Sequence, residues 1–135
     1  AALKAAPIGM TGHVIFEAWD GERCATLSPA VISQIIRGQI GFDGLLLSDD
    51  LHMAALSGSI AERAAAAVAA GCDIALACWA RGDGVLAIAE VLPAVTPATR
   101  ARLDQAMAGM DGQTKTVDKI TSLVAKRDQL LAYAV

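Results

Sequence analysis

Aromatic side chains are scarce in this sequence: two Trp, two Phe and one Tyr make up 4% of the 135 residues. Proteins that grip single-stranded nucleic acid stack bases on aromatic rings, and that platform is missing. Charge is thin as well. Only 19% of the residues are Asp, Glu, Lys or Arg, and the 11 basic residues form no run against the 14 acidic ones. A net charge of −3 leaves no positive footprint for a phosphate backbone, so nucleic acid is not an expected partner. The three cysteines, Cys24, Cys72 and Cys78, are odd in number and show no C-x-x-C spacing. They read as reduced, mostly buried thiols of a cytoplasmic protein rather than a zinc site or a disulfide framework. The longest apolar stretch, Ala64 to Ala80, is interrupted by Gly71 and Asp73. A spanning helix needs about 20 mostly apolar residues, so no membrane segment is expected. No charged start leads into an apolar core and a small-residue cleavage site, so no signal peptide is expected either. Phosphate cradles of the G-x-x-x-x-G-K-[ST] and G-x-G-x-x-G types and the G-x-S-x-G nucleophile elbow are all absent.

What is present is apolar and regular. At 55% apolar the chain is not a disordered one, and its length suits a single domain. Residues Ile8 to Phe16 read as a strand ending near His13. Ser28-Pro29 starts a helix, with a capping hydroxyl and a proline where its missing N–H costs nothing. Ile32, Ile35, Ile36 and Ile40 give that helix a buried face, and Gly38 and Gly41 end it. After an Asp43-Gly44 turn, Leu45-Leu46-Leu47 runs without alternation, as a strand buried on both faces does. Ser59 and Glu62 form a capping box ahead of an Ala-rich helix closed by Gly71. Asp73 to Cys78 reads as a third buried strand, and a helix from about Gly84 to Leu92 is stopped by Pro93. Thr96-Pro97 starts another helix, ended by Gly109. A last helix, about Val117 to Ala134, carries Ile120, Leu123, Val124 and Leu131 on one face. Strands alternating with helices imply an α/β fold with a parallel sheet and right-handed crossovers. A closed (β/α)8 barrel needs about 250 residues, so this chain holds at most its last part.

In such folds the chemistry lies at the carboxyl ends of strands, where His13, Asp49 and Cys78 fall. Two carboxylates directly after a buried Leu run are unusual, because an unpaired buried charge is costly. One reading is that Asp49 or Asp50 caps the following turn. Neighbouring side chains on a strand point to opposite sides, so Asp49 and Asp50 cannot together be the facing carboxyl pair of a glycosidase. His13 reads either as a hydrogen-bonded core or loop histidine or as a catalytic one. A metal site of His13, Asp49, Asp50 and His52 is a further reading, without a tight ligand spacing. The S-D-D order excludes a D-x-D phosphatase motif. Met10 and Met53 read as packing residues.

Three blocks occur in order: Met10-Thr11-Gly12-His13-Val14, Ala25-Thr26-Leu27-Ser28-Pro29, and Gly41-Phe42-Asp43-Gly44-Leu45-Leu46-Leu47-Ser48-Asp49-Asp50-Leu51-His52-Met53. Ala61–Ala64 and Ala70–Asp73 continue the series. The set resembles the C-terminal part of glycoside hydrolase family 3 β-N-acetylglucosaminidases, the NagZ type of bacterial cell-wall recycling. The likeness runs from about Ile8 to Pro93. It implies a TIM-like (β/α)8 barrel, with residues 1–95 as its last βα units, residues 96–135 as helices packing on it, and the whole a single incomplete domain. It implies a retaining exo-β-N-acetylhexosaminidase acting without a cofactor on a GlcNAc-containing glycan or muropeptide. By position Asp49 is the nucleophile, His13 orients it or touches the sugar, Met53 walls the sugar pocket, and Asp50 supports from behind. Gly12 stands where the family more often has Ala or Ser. The family's K-H-F-P-G-H-G block, its acid/base His and its sugar-binding Arg and Asp residues precede the position of Met10, and none stands in these 135 residues. The expected partner is therefore the N-terminal half of the barrel or further copies of this chain. The competing reading is a non-catalytic α/β module that only self-associates.

Overall fold

The computed structural model describes residues 3–108 and 117–132. A 3-10 turn, Leu3–Ala5, leads into strand β1 (Ile8–Met10). An antiparallel hairpin follows, β2 (Ile15–Phe16) with β3 (Asp20–Cys24), then a second 3-10 turn, Ala25–Leu27. A wide helix, Val31–Gln39, crosses over to β4 (Leu45–Leu47), which lies parallel to β1 with Ile8 opposite Leu45 and Met10 opposite Leu47. Helices α1 (Ile60–Ala70), α2 (Asp83–Val91), α3 (Pro97–Ala108) and α4 (Val117–Ala132) complete the order.

Local sequence explains most of these boundaries. The Ser28 hydroxyl accepts the Val31 N–H at 3.1 Å and donates to the Asp20 carboxylate at 2.7 Å, so it caps the wide helix and ties it to the hairpin. Ile32 and Ile35 are buried there, Ile36 is half-buried, and Ile40 lies exposed past the end. Ser59 and Glu62 form the reciprocal capping box, and Gly71 closes α1 at φ 116°, a conformation that favours glycine. Thr96 caps α3 by accepting the Thr99 N–H at 3.1 Å. The expected end of that helix at Gly109 lies outside the described residues. Ala64, Ala67 and Ala70 form a buried stripe of small side chains against Ile32, Phe42, Leu46, Leu51 and Leu56, and this is the core.

Two expectations are corrected. The run from Ile8 to Phe16 is not one strand. The N–H of Thr11 makes the last bond to β4, on the Leu47 carbonyl at 3.0 Å, after which the chain leaves the sheet at Gly12 and turns into the hairpin. The run from Asp73 to Cys78 is not a strand either: among the described residues it joins the sheet through a single parallel bridge between Leu47 and Ile74. Side chains take the places of ladder partners. The Leu46 N–H donates to Asp73 Oδ2 at 2.9 Å, and the Leu76 N–H donates to Ser48 Oγ at 2.8 Å. Leu123 and Val124, expected on one face of the last helix, lie within α4 and are exposed.

Asp73 also fastens the elements to one another. Its nearly buried carboxylate receives Arg37 Nη2 at 2.7 Å, Arg102 Nη1 at 2.9 Å and the Thr99 hydroxyl at 3.0 Å. Burial alone would raise its pKa. The Leu46 N–H, Thr99 and Arg102 outweigh burial and hold it below the ordinary carboxylate value.

Candidate active site

Three segments end at the same place. β1 runs out into Thr11, Gly12 and His13; β4 runs out into Ser48, Asp49 and Asp50; the 73–76 segment runs out into Cys78. Residues beyond a strand lose their ladder partners, and their main-chain polar groups need others. Here side chains supply them. The Asp49 N–H donates to Thr11 Oγ1 at 3.3 Å, and the Asp49 carbonyl accepts from Ser48 Oγ at 2.8 Å. The Asp50 N–H donates to Asp49 Oδ1 at 2.8 Å. The Asp50 carbonyl accepts from His13 Nε2 at 3.0 Å and from the Met53 N–H at 3.1 Å.

The two carboxylates are used differently. Asp50 Oδ1 turns inward and accepts from the His52 N–H at 3.1 Å, from the Cys78 N–H at 3.2 Å and from His52 Nδ1 at 3.3 Å. The His52 N–H lowers its pKa most, with Cys78 N–H adding to it against a partial burial, so Asp50 is ionised. Asp49 spends Oδ1 on the neighbouring N–H, while Oδ2 has no hydrogen bond among the described residues. Both carboxylates thus make the local cap-like bonds expected of an Asp at such a turn, and Asp49 keeps one oxygen for other use.

His13 meets the Asp49–Asp50 segment with its ring, which bonds the main-chain oxygen of Asp50 rather than the Asp49 carboxylate. The other ring nitrogen, Nδ1, meets Thr26 Oγ1 at 2.9 Å. With both nitrogens engaged, His13 has none left for a metal. Among the described residues no three His, Cys, Asp or Glu side chains converge as a ligand set, so the four-residue metal reading lacks its geometry. Met53 is exposed on the loop after Asp50. Arg63 of α1 pins that loop through the carbonyls of Leu51, at 2.8 Å, and Met53, at 3.2 Å.

The cysteines are all free. Cys72 is buried, which pushes its thiol up to about 11. The expectation of mostly buried thiols holds only for Cys72, since Cys24 is half-buried and Cys78 exposed; desolvation and then the Asp50 carboxylate raise the Cys78 thiol. Cys72 and Cys78 stay protonated near neutral pH, which makes them poor nucleophiles.

Sequence reasoning singled out Asp49, Asp50 and His13 but passed over Thr11, Thr26, Ser48 and Arg63 as site residues. Thr11, Ser48 and Arg63 work on main-chain groups and Thr26 on the His13 ring and the Thr11 hydroxyl, and no spacing in the sequence announces those pairings. The one available signal was their location, since Thr11, Thr26 and Ser48 all fall inside the three blocks quoted above.

Residues 1–110 match the glycosyl hydrolase family 3 N-terminal domain. The chain belongs to that family. It is 40% identical over 102 residues to a beta-hexosaminidase of Chromobacterium violaceum, covering 74% of this chain and 28% of that protein. Among solved structures, a family 3 beta-N-acetylglucosaminidase from a Paenibacillus species superposes with a TM-score of 0.58 at 34% identity, over 76% of this chain and 20% of that one. A beta-N-acetylhexosaminidase from Beutenbergia cavernae gives 0.54 at 32% identity, over 76% and 31%. The chain thus spans less than a third of the length of these relatives.

Proposed function

We propose that these residues are the nucleophile-bearing part of a retaining exo-β-N-acetylhexosaminidase, which removes terminal GlcNAc from glycans such as muropeptide fragments in the cytoplasm. The observation that carries the reading is Asp49 itself. It stands at the carboxyl end of β4 inside the Gly41–Met53 block, with its backbone held on both sides and Oδ2 unengaged. In the reaction, Asp49 Oδ2 forms a bond to the anomeric carbon as the bond to the leaving oxygen breaks. An acid group, placed by the family pattern in sequence before Met10, protonates that oxygen. Water, deprotonated by the same group, then attacks the anomeric carbon and frees Asp49 and the sugar. Asp50 stays ionised and anchors the turn through His52 and Cys78. Met53 walls the sugar pocket. Free thiols at all three cysteines accord with a reducing compartment.

The same reading places residues 1–95 as the last βα units of a (β/α)8 barrel. The outer edge of β1 has no strand partner among the described residues, and Ile8 and Met10 are exposed beside it. An apolar groove of about 340 Å³ lies there, between Met10, Phe16, Trp19, Ile36 and Phe42. The N-terminal half of the barrel is its proposed occupant, and copies of this chain are the alternative.

Kinetics of the full-length protein on an aryl β-N-acetylglucosaminide test the assignment. Asp49→Ala is expected to abolish turnover, Asp50→Ala to weaken it less, and His13→Ala to lower it without unfolding the protein. Full activity in Asp49→Ala would refute the nucleophile. Melting of His13→Ala without a specific kinetic effect would make that residue a core histidine.

A further inference from the structure

Hydrogen-bond direction can be followed from Asp50 back through the site. The Asp50 carbonyl only accepts, so His13 Nε2 carries a hydrogen. In the neutral ring Nδ1 is then an acceptor, and Thr26 Oγ1 must donate to it at 2.9 Å. A hydroxyl has one proton. With that proton spent on His13, Thr26 accepts from Thr11 Oγ1 at 2.9 Å. Thr11, donating to Thr26, in turn accepts the Asp49 N–H. With the ring neutral, one arrangement of protons satisfies all four contacts. Thr26 is fully buried and Thr11 nearly so, so water cannot stand in for either hydroxyl.

We propose that Thr26 is a positioning residue for the nucleophile. It sits on the 3-10 turn Ala25–Leu27, bonds neither aspartate, and acts on both through others: it donates to His13 Nδ1 and so seats the ring against the Asp50 carbonyl, and it orients the Thr11 hydroxyl toward the Asp49 N–H. Without its donor, Nδ1 becomes a buried acceptor with no partner and the ring loses the contact that seats it, although the Asp50 carbonyl still selects the Nε2–H form. The effect on turnover rests on Asp49 being the nucleophile; the effect on His13 does not.

The test uses the full-length protein with 15N-labelled histidine, read by long-range proton–nitrogen correlation at pH 8, with His13→Gln to assign the signals. Wild type is expected to show His13 in the Nε2–H form alone. Thr26→Val should keep the Nε2–H form but move the Nδ1 resonance to that of an acceptor without a hydrogen bond, and lower kcat about tenfold or more with KM little changed, as small displacements of a reacting group do. Thr26→Ser keeps the hydroxyl and should retain both the Nδ1 resonance and most of kcat. Thr11→Val should leave the Nδ1 resonance in place, because Thr26 still donates, yet lower kcat by freeing the Asp49 N–H. A wild-type His13 in the Nδ1–H form overturns the proposal, and that readout needs no variant to fold. So does an unchanged Nδ1 resonance in Thr26→Val, or equal losses in the Val and Ser variants that track their melting temperatures. An Nδ1 resonance that responds while kcat does not overturns the positioning role. Retained turnover in Asp49→Ala would instead strike the nucleophile assignment and leave the Nδ1 result standing.

Discussion

Single residues do their work here through main-chain neighbours. Gly44 is the clearest structural instance. A Cβ at that position would lie 2.6 Å from the Ala6 carbonyl oxygen, 2.7 Å from that of Pro7 and 2.8 Å from the Phe42 ring. Backbone cannot yield as a flexible side chain does, so Gly44→Ala should cost about 1–3 kcal/mol, read as a lowered midpoint in urea unfolding of the full-length protein. An unchanged midpoint would mean that the entry to β4 is looser than described. The sequence marks Asp43-Gly44 as a turn but not this close approach, which depends on the Leu45 N–H bonding the Pro7 carbonyl, a contact between distant residues. The same limit hides Thr26. Hydroxyls are common and cheap to expose, and only the folded neighbourhood decides which one is buried with a partner on each side. Asp49 and Asp50 were legible because carboxylates after a buried Leu run need a reason.

Elements were legible where local physics settles them. The Leu45–Leu47 strand, the Ser59–Glu62 capping box and the proline-led helix starts rest on caps and runs within a few residues, and all are present. The hairpin at Ile15–Cys24 was missed because its turn is fixed by contacts that close only on folding: Asp20 accepts the N–H groups of Glu22 and Arg23, and Phe16 packs on Trp19 at 5.1 Å. The 73–78 segment looked like a strand because it is apolar, but Ser48 and Asp73 intercept its ladder. Asp73 joins that segment to the wide helix and to α3, and its side chain is only 4% exposed. Removing the carboxylate leaves two guanidinium groups facing a buried site, so Asp73→Ala should destabilise by about 3–5 kcal/mol. Because the folded pKa lies below the unfolded one, the stabilisation is present above about pH 4 and fades as pH falls through the folded value. Acid titration of stability should therefore be steeper in wild type than in Asp73→Ala; parallel profiles would show that Asp73 is not ionised in this network.

On the scale of the molecule, the sheet is too small for the surface it leaves. Among the described residues β1 pairs on one side only, Met10 is 56% exposed, and Trp79, just past the third segment, is 70% exposed. Apolar edges of that kind associate. Residues 1–135 alone should run as more than a monomer in light scattering, join an added N-terminal half of the barrel, and hydrolyse an aryl β-N-acetylglucosaminide at background rate. A cooperative monomer indifferent to the other half would show a closed core of its own. The proposed barrel rests in the sequence on resemblance alone, since three short apolar runs do not distinguish part of a closed barrel from a small open sheet. The central claim, that Asp49 is the nucleophile of a retaining hydrolase, is met most directly by trapping the covalent intermediate. The full-length protein is treated with a fluorinated GlcNAc derivative that forms the glycosyl-enzyme but releases it slowly, then digested and read by mass spectrometry. One glycosyl group is expected on the peptide containing Asp49, and none after Asp49→Ala. A label on a different carboxylate, or steady turnover with no label at all, would contradict the account.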